Sequence, residues 1–263
     1  MTHRSEALGT PGTLPWLETI MRRLLAPDGC PWDREQTLAS LKPFLLEECY
    51  EVLDAIDEGD GDHHTEELGD LLFQIVFQAE LAGRSLEEVI RGIGEKLIRR
   101  HPHVFGETRV RDTEEVLANW ERLKAEERTS PRPTLAGVPR AMPALQRAYE
   151  LSRKAAKAGF EWPDAGAARR KVDEELGEVD AALAAGDADE VRAELGDLLF
   201  AVAVWGRKLG VEPEEALREA GARYERRFTR MEAELGAEGK AMQSCSLDEL
   251  LARWARAKGG PAV

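Results

Sequence analysis

Aromatic residues make up only 6% of this chain. Val and Ile are thinly spread, and no stretch alternates apolar and polar residues as a half-buried strand does. Little material is left for a β-sheet. Cysteine is scarcer still. Cys30, Cys49 and Cys245 are odd in number, and none stands in a C-x-x-C or other metal-binding spacing. A disulfide framework is excluded, and free thiols in a reducing cytoplasm are expected. No window approaches the ~18 uninterrupted apolar residues of a membrane span. Met1 to Pro15 is polar and punctuated by Gly and Pro, without the apolar core of a signal peptide. Basic charge is also short: 36 Lys and Arg face 50 Asp and Glu, a net charge of −14. A sequence-independent nucleic-acid surface needs a basic stripe, so direct nucleic-acid binding is not expected. There is no phosphate-cradling glycine loop and no Ser/His/Asp or Cys/His arrangement.

Ala, Leu, Glu and Arg are plentiful. These strong helix formers predict an all-α fold, and 263 residues suffice for one large domain or two ordinary ones. Helical periodicity runs over 16–25, 41–58, 63–83, from Ser85 to about 100, and over 112–128. Ser85 and Glu88 form a capping-box pattern. The breaker-rich Thr129-Ser130-Pro131-Arg132-Pro133-Thr134 reads as a linker. Helices are then expected over 140–158, 166–185, 188–209, 213–235 and 246–258. The division is 1–128, a linker over 129–137, and 138–263.

The two halves repeat. Glu47-Glu48-x-x-Glu51 returns as Glu174-Glu175-x-x-Glu178, an offset of 127. The string Glu67-Leu68-Gly69-Asp70-Leu71-Leu72-Phe73 returns identically at Glu194 to Phe200, again offset by 127. Lys96 and Arg100 map to Arg223 and Arg227 at that offset, and Trp120 and Lys124 map to Trp254 and Lys258 at 134. A seven-residue identity at constant register marks a tandem duplication of one helical unit.

The acids carry the chemistry. On each helix they are spaced i, i+3 or i, i+4, so they share a face. Antiparallel packing across the Gly186 turn brings the two faces together, and the carboxylates repel unless a cation sits between them. Mg²⁺ takes such hard oxygen ligands, and the lack of histidine at these positions disfavours zinc or a ferritin-like di-iron site. The flanking leucines are expected to be buried, and Gly69 and Gly196 to admit another backbone closely. Solvated helix faces are the plain alternative, which the matched, repeated sets oppose. Arg223 and Arg227 lie on one helix face, and Lys258 lies one turn past Trp254. Cations opposite a metal cluster suggest a polyphosphate bridging the two. Trp162 and Trp254 can stack on a base or serve as packing anchors.

These residues resemble the MazG nucleoside triphosphate pyrophosphohydrolases in their two-domain form. The resemblance rests on Gly29-Cys30-Pro31-Trp32-Asp33, both acid sets, Arg99-Arg100-His101-Pro102-His103-Val104-Phe105, Gly159-Phe160-x-Trp162 and Glu225-Arg226-Arg227-Phe228. It implies two tandem helical-bundle domains, a homodimer, and Mg²⁺-dependent hydrolysis of a (d)NTP to the monophosphate and pyrophosphate, with Mn²⁺ able to substitute. Glu175, Glu178, Glu194 and Asp197 match metal-holding carboxylates. Glu174 is the candidate to position or deprotonate water. Arg223, Arg227, Lys258 and Trp254 match the catalytic or substrate-binding set, with Trp162 beside the substrate. Two departures stand out: Glu190 occupies a position that is basic in some relatives, and Arg223 stands where lysine is common. The C-terminal site is expected to be principal. A weaker or regulatory second site is expected at Glu47, Glu48, Glu51, Glu67, Asp70, Lys96, Arg100, Trp120 and Lys124. The rival readings are a dUTPase-like enzyme of narrow specificity, and a nucleotide-sensing or partner-binding helical protein without turnover.

Overall fold

The computed structural model describes residues 8–127 and 133–259. Among the described residues all regular structure is helical. The chain divides into two compact units, Met1–Thr129 and Ser130–Val263. Of the expected linker, residues 129–132 lie outside the described residues. Residues 133–137 belong with the second unit, where Lys154 Nζ donates to the Ala136 carbonyl at 2.5 Å.

Unit 1 comprises α1 (Leu14–Leu25), α2 (Pro31–Glu35), α3 (Lys42–Glu58), α4 (Gly61–Leu81), α5 (Leu86–Arg100), α6 (Pro102–Phe105) and α7 (Thr113–Glu126). Unit 2 comprises α8 (Ala144–Lys157), α9 (Ala165–Ala185), α10 (Ala188–Lys208), α11 (Pro213–Ala237) and α12 (Leu247–Gly259). A 3-10 turn over Met242–Ser244 precedes α12. The long helices match the expected periods closely. The short α2 and α6 were not expected. Each begins with a proline at its first position and is too short to show a period.

The same corner turns both central hairpins. Gly59 ends α3 in the left-handed region (φ 71°), and Gly186 ends α9 at the same angle. A β-carbon is disfavoured there, so glycine is the natural stop. The next residue starts the following helix: Asp60 accepts hydrogen bonds from the amides of Asp62 and His63, and Asp187 from those of Asp189 and Glu190. A corner this short forces α3 against α4 and α9 against α10 as antiparallel pairs. The α5 start has the full capping box, Ser85 with Glu88, and Glu212 caps α11 at the equivalent position.

In unit 1 the core gathers Met21, Leu41, Val76, Phe77 and Leu86. It is closed from α1 and α4 by Leu17, Leu24 and Phe73. In unit 2 the α9–α10 hairpin buries mostly small apolar residues, Ala167, Ala168 and Ala182 on α9 and Ala201 and Ala203 on α10, while Met231 and Leu235 of α11 supply the bulk. Small side chains let helix axes approach, so this hairpin gains its contacts by proximity rather than by bulk.

Two expectations fail. A β-carbon at Gly69 or Gly196 would meet nothing within 4 Å, so neither glycine serves a close approach. The leucines beside the acids are not all buried: Leu68 is 46% and Leu195 47% exposed, and Leu199 is exposed as well. A helical period reports an apolar face, not what covers it, and among the described residues these leucines stay exposed.

Replacing Asp187 with alanine strands two amides at the start of α10 and should cost about 1 kcal/mol of unit 2 stability. Asp60→Ala should cost unit 1 the same. Urea denaturation, followed by a probe for each unit, checks both.

Candidate active site

The α9–α10 hairpin brings carboxylate oxygens of Glu175, Glu194 and Asp197 within 4.8 Å of one another. Glu175 is buried, at 5% exposure, while Asp197 lies at the surface. Glu178 joins the group through a hydrogen bond with Glu175. The Glu178 carboxyl is raised by this bond, by burial and by the Glu175 charge. The Glu194 carboxyl is raised as well, first by burial and then by the charges of Glu178, Glu190 and Glu175. Glu175 moves the other way. The Lys171 ammonium, 2.7 Å from its Oε1, holds it below the usual carboxylate range.

Lys171 also donates to Glu174 Oε1 at 2.7 Å. One ammonium therefore bridges the carboxylates of the Glu174-Glu175 pair, and both raise its pKa. Sequence reading passed over this lysine. Its signal was its position, three and four residues before two glutamates and on their helix face.

The donors at the cluster are carboxylate oxygens, with neither imidazole nor thiolate among the three. That chemistry fits a hard divalent cation. The raised Glu178 and Glu194 mark negative charge in excess of what Lys171 offsets, which such an ion would relieve.

A cavity of about 590 Å³ opens beside the cluster. Lys171, Glu175 and Asp197 line one end of it, and Phe200, Ala201 and Val204 of α10 line its length. Phe160 and Trp162, from the loop between α8 and α9, line it as well. Trp162 is thus placed at the cavity. Arg223, Arg227, Trp254 and Lys258 are not among its lining residues. They lie on α11 and α12, which pack on each other. There Trp254 meets Tyr224 at 4.9 Å, and Arg223 pairs with Glu219 at 3.3 Å.

Unit 1 repeats the cluster with Glu48, Glu67 and Asp70, again within 4.8 Å. The Glu48 carboxyl is raised by burial and by the charges of Asp70 and Glu51. Glu47 and Lys96 are exposed to solvent. Arg100 is forked onto Glu127 and lies over the Trp120 ring, 5.5 Å from its centroid. Together with Arg99 it pulls the Glu127 carboxyl down to about 2. Lys124 is partly buried on α7.

Comparison with known proteins bears on both units. Residues 36–105 match the MazG nucleotide pyrophosphohydrolase domain, and residues 145–224 match the phosphoribosyl-ATP pyrophosphohydrolase model. The nucleoside triphosphate pyrophosphohydrolase of Escherichia coli (strain K12) is 44% identical over 251 residues, covering 92% of this chain and 95% of that protein. The chain belongs to the MazG family. The nucleoside triphosphate pyrophosphohydrolase/pyrophosphatase MazG of Thermotoga maritima is 41% identical, over 93% of this chain and 95% of its own length. A nucleoside triphosphate pyrophosphohydrolase of Mycobacterium tuberculosis is 40% identical over 49% of this chain and 41% of that protein.

Within this MazG chain the two clusters have different surroundings. Phe44 stands at the position of Lys171, and its ring packs edge-on against Trp32 at 5.5 Å. Gln74 stands at the position of Ala201. It is buried and reaches Glu48 Oε1 at 3.5 Å. His63 stands at the position of Glu190 and lies 3.1 Å from Glu67 and 2.8 Å from Glu58. Where unit 2 has an ammonium and a small residue, unit 1 has an aromatic ring and an amide.

The raised acids have a consequence for stability. A carboxyl whose folded pKa exceeds its unfolded value destabilises the fold above that pKa, and the penalty fades as pH falls through it. Glu194→Gln should therefore raise the melting temperature of the metal-free protein by a few degrees near neutral pH. If the cluster holds Mg²⁺, adding the ion should cancel the gain, because the wild type then keeps a carboxylate that the variant lacks. Calorimetric melting with chelator and with Mg²⁺ measures both arms.

Proposed function

We propose that unit 2 hydrolyses nucleoside triphosphates, deoxy forms included, to the monophosphate and pyrophosphate with Mg²⁺, as a scavenger of the nucleotide pool. One observation carries the reading. A single cavity joins a three-carboxylate cluster and an ammonium to an apolar, aromatic-walled space. The first end suits a metal and a polyphosphate, the second a nucleoside.

Glu175, Glu178, Glu194 and Asp197 would hold the metal, with Mn²⁺ able to replace Mg²⁺. A bound Mg²⁺ supplies positive charge at the phosphoryl oxygens and at the departing pyrophosphate. Glu174, exposed and tethered by Lys171, would orient water and accept its proton. Lys171, held between Glu174 and Glu175 at the cavity wall, would place its ammonium beside a phosphate oxygen. Arg223, Arg227 and Lys258 would add charge at the pyrophosphate, and Trp254 would contact the nucleotide.

Those four residues stand apart from the cavity lining, which supports a homodimer that completes the site. The exposed apolar stripe supports it further. Leu183, Leu195 and Val202 are exposed on the α9–α10 hairpin, and Ile56, Leu68 and Ile75 are exposed at the same register in unit 1. Unpartnered apolar faces of this kind call for a second surface. The three free cysteines are consistent with a cytoplasmic setting. Among the described residues no helix is long and apolar enough to cross a membrane.

Unit 1 would be weak or silent. Phe44 removes the ammonium, Gln74 fills space that Ala201 leaves open, and Arg100 is committed to Glu127.

The direct test is a pyrophosphate-release assay over canonical and damaged NTPs and dNTPs. Glu194→Gln or Asp197→Asn should lower kcat at least about 100-fold, chelator should abolish turnover, and Glu67→Gln should change it less than about twofold. Nucleotide binding with no product from any substrate would favour the sensing alternative. For assembly, Leu195→Glu should shift the sedimenting species from dimer to monomer. A wild-type protein that sediments as a monomer at micromolar concentration would refute the dimer.

A further inference from the structure

The unit 2 cavity has a second polar end that the hydrolysis leaves unused. Arg207 lies ten residues past Asp197 on α10, about 15 Å along the helix. Its side chain is only 12% exposed. Nη1 donates to Glu161 Oε2 at 2.9 Å and Nη2 to Glu161 Oε1 at 2.8 Å. Nε donates to Ser152 Oγ at 3.0 Å, and the Ser152 hydroxyl donates to the Tyr149 carbonyl at 2.8 Å. Each nitrogen of the guanidinium has a protein partner, so Arg207 is committed to holding rather than to reading a ligand.

What it holds is the loop over 159–164. Glu161 also accepts from the Trp162 amide at 2.8 Å, and Lys208 Nζ donates to the Trp162 carbonyl at 2.8 Å. The loop is thereby tied to α10 at two successive residues. Its aromatic side chains, Phe160 and Trp162, line the cavity. Phe160 is 85% exposed. Burial cannot fix a ring that open; the Phe160 amide donates to the Ala155 carbonyl at 3.0 Å on one side, and the ion pair of its neighbour holds the chain on the other.

We infer that the Arg207–Glu161 fork is a positioning pair: it holds Phe160 and Trp162 as the wall against which the nucleoside half of the substrate lies, while the polyphosphate half meets Lys171 and the acids. The inference rests on the hydrolase reading above and adds how the nucleoside is gripped. A forked arginine–carboxylate pair fixes direction as well as distance, which a lysine cannot do. Unit 1 lacks the device. Glu80 stands at the Arg207 position and accepts from Arg22 of α1 at 3.3 Å, and Pro31 stands where Glu161 does, at the offset of 130 that aligns Trp32 with Trp162. The unit 1 loop is tied to other partners instead: Arg23 of α1 forks onto Asp28, and Gln36 donates to the Trp32 carbonyl at 3.0 Å.

The test separates nucleoside from phosphate. Binding of a non-hydrolysable α,β-methylene NTP and of inorganic tripolyphosphate, each with Mg²⁺, is measured by calorimetry on the full chain. Arg207→Gln should weaken the analogue about tenfold, the worth of one stacked base, and leave tripolyphosphate within about twofold. In turnover, KM should rise by about the same factor while kcat falls less than about threefold. Glu161→Gln breaks the pair from the exposed loop side, with little demand on packing, and should give the same split. Equal loss of both ligands, or no loss of the analogue, overturns the inference. So does a wild-type protein that binds the analogue no better than tripolyphosphate. If the wild type binds the analogue, turns over no NTP and still shows the split, the hydrolase reading fails and the positioning pair stands.

Discussion

Like charges held together against their own repulsion set the terms for this molecule. Oxygens of Glu175, Glu194 and Asp197 sit within 4.8 Å, and the fold has to keep them there. It does so with a hairpin whose two helices share one tight corner and whose facing surfaces are mostly alanine. Lys171 takes up part of the charge from within α9. The remainder appears as displaced proton affinities at Glu178 and Glu194. The cation proposed for this cluster would relieve that repulsion and so stabilise the unit that contains it.

The duplication supplies an internal control. Scaffold features recur in both copies: the glycine stop, the aspartate start, the acid triads and the exposed apolar stripe. The interior around the acids does not recur. Phe44, Gln74 and Glu80 replace Lys171, Ala201 and Arg207. Each exchange removes a charge suited to phosphate, an open volume or a loop anchor. The copies thus share what holds the carboxylates and differ in what a nucleotide would touch.

Much of this was legible in the sequence, for physical reasons. Helix periods survive without tertiary context, and capping residues mark their own ends, as Ser85 and Glu88 do. Carboxylates at i, i+3 spacing fix a face, so both triads could be drawn before any coordinates. Other features were hidden. Lys171 looks like an ordinary surface base until its partners are seen. The Arg207–Glu161 pair joins residues 46 apart, with nothing in either neighbourhood to announce the other. Burial of Leu68 and Leu195 was misjudged because apolarity describes a face and not its cover. Gly69 and Gly196 were given a packing role on their identity alone, whereas their β-carbon directions are open.

The corner at Gly186 can also be taken as the origin of a ruler. Glu178 lies eight residues before it and Glu194 eight after; Glu175 lies eleven before and Asp197 eleven after. Around Gly59 the counts are the same for Glu51 and Glu67, and for Glu48 and Asp70. The acids of each cluster are therefore mirror pairs about a single glycine. One residue gained or lost between the corner and an acid would swing that acid about 100° around its helix and out of the group. Length can change freely only outside the mirror, and that is where the two halves of this chain differ: the offset is 130 at Trp32, holds at 127 from Phe44 through Arg100, and reaches 134 by Trp120.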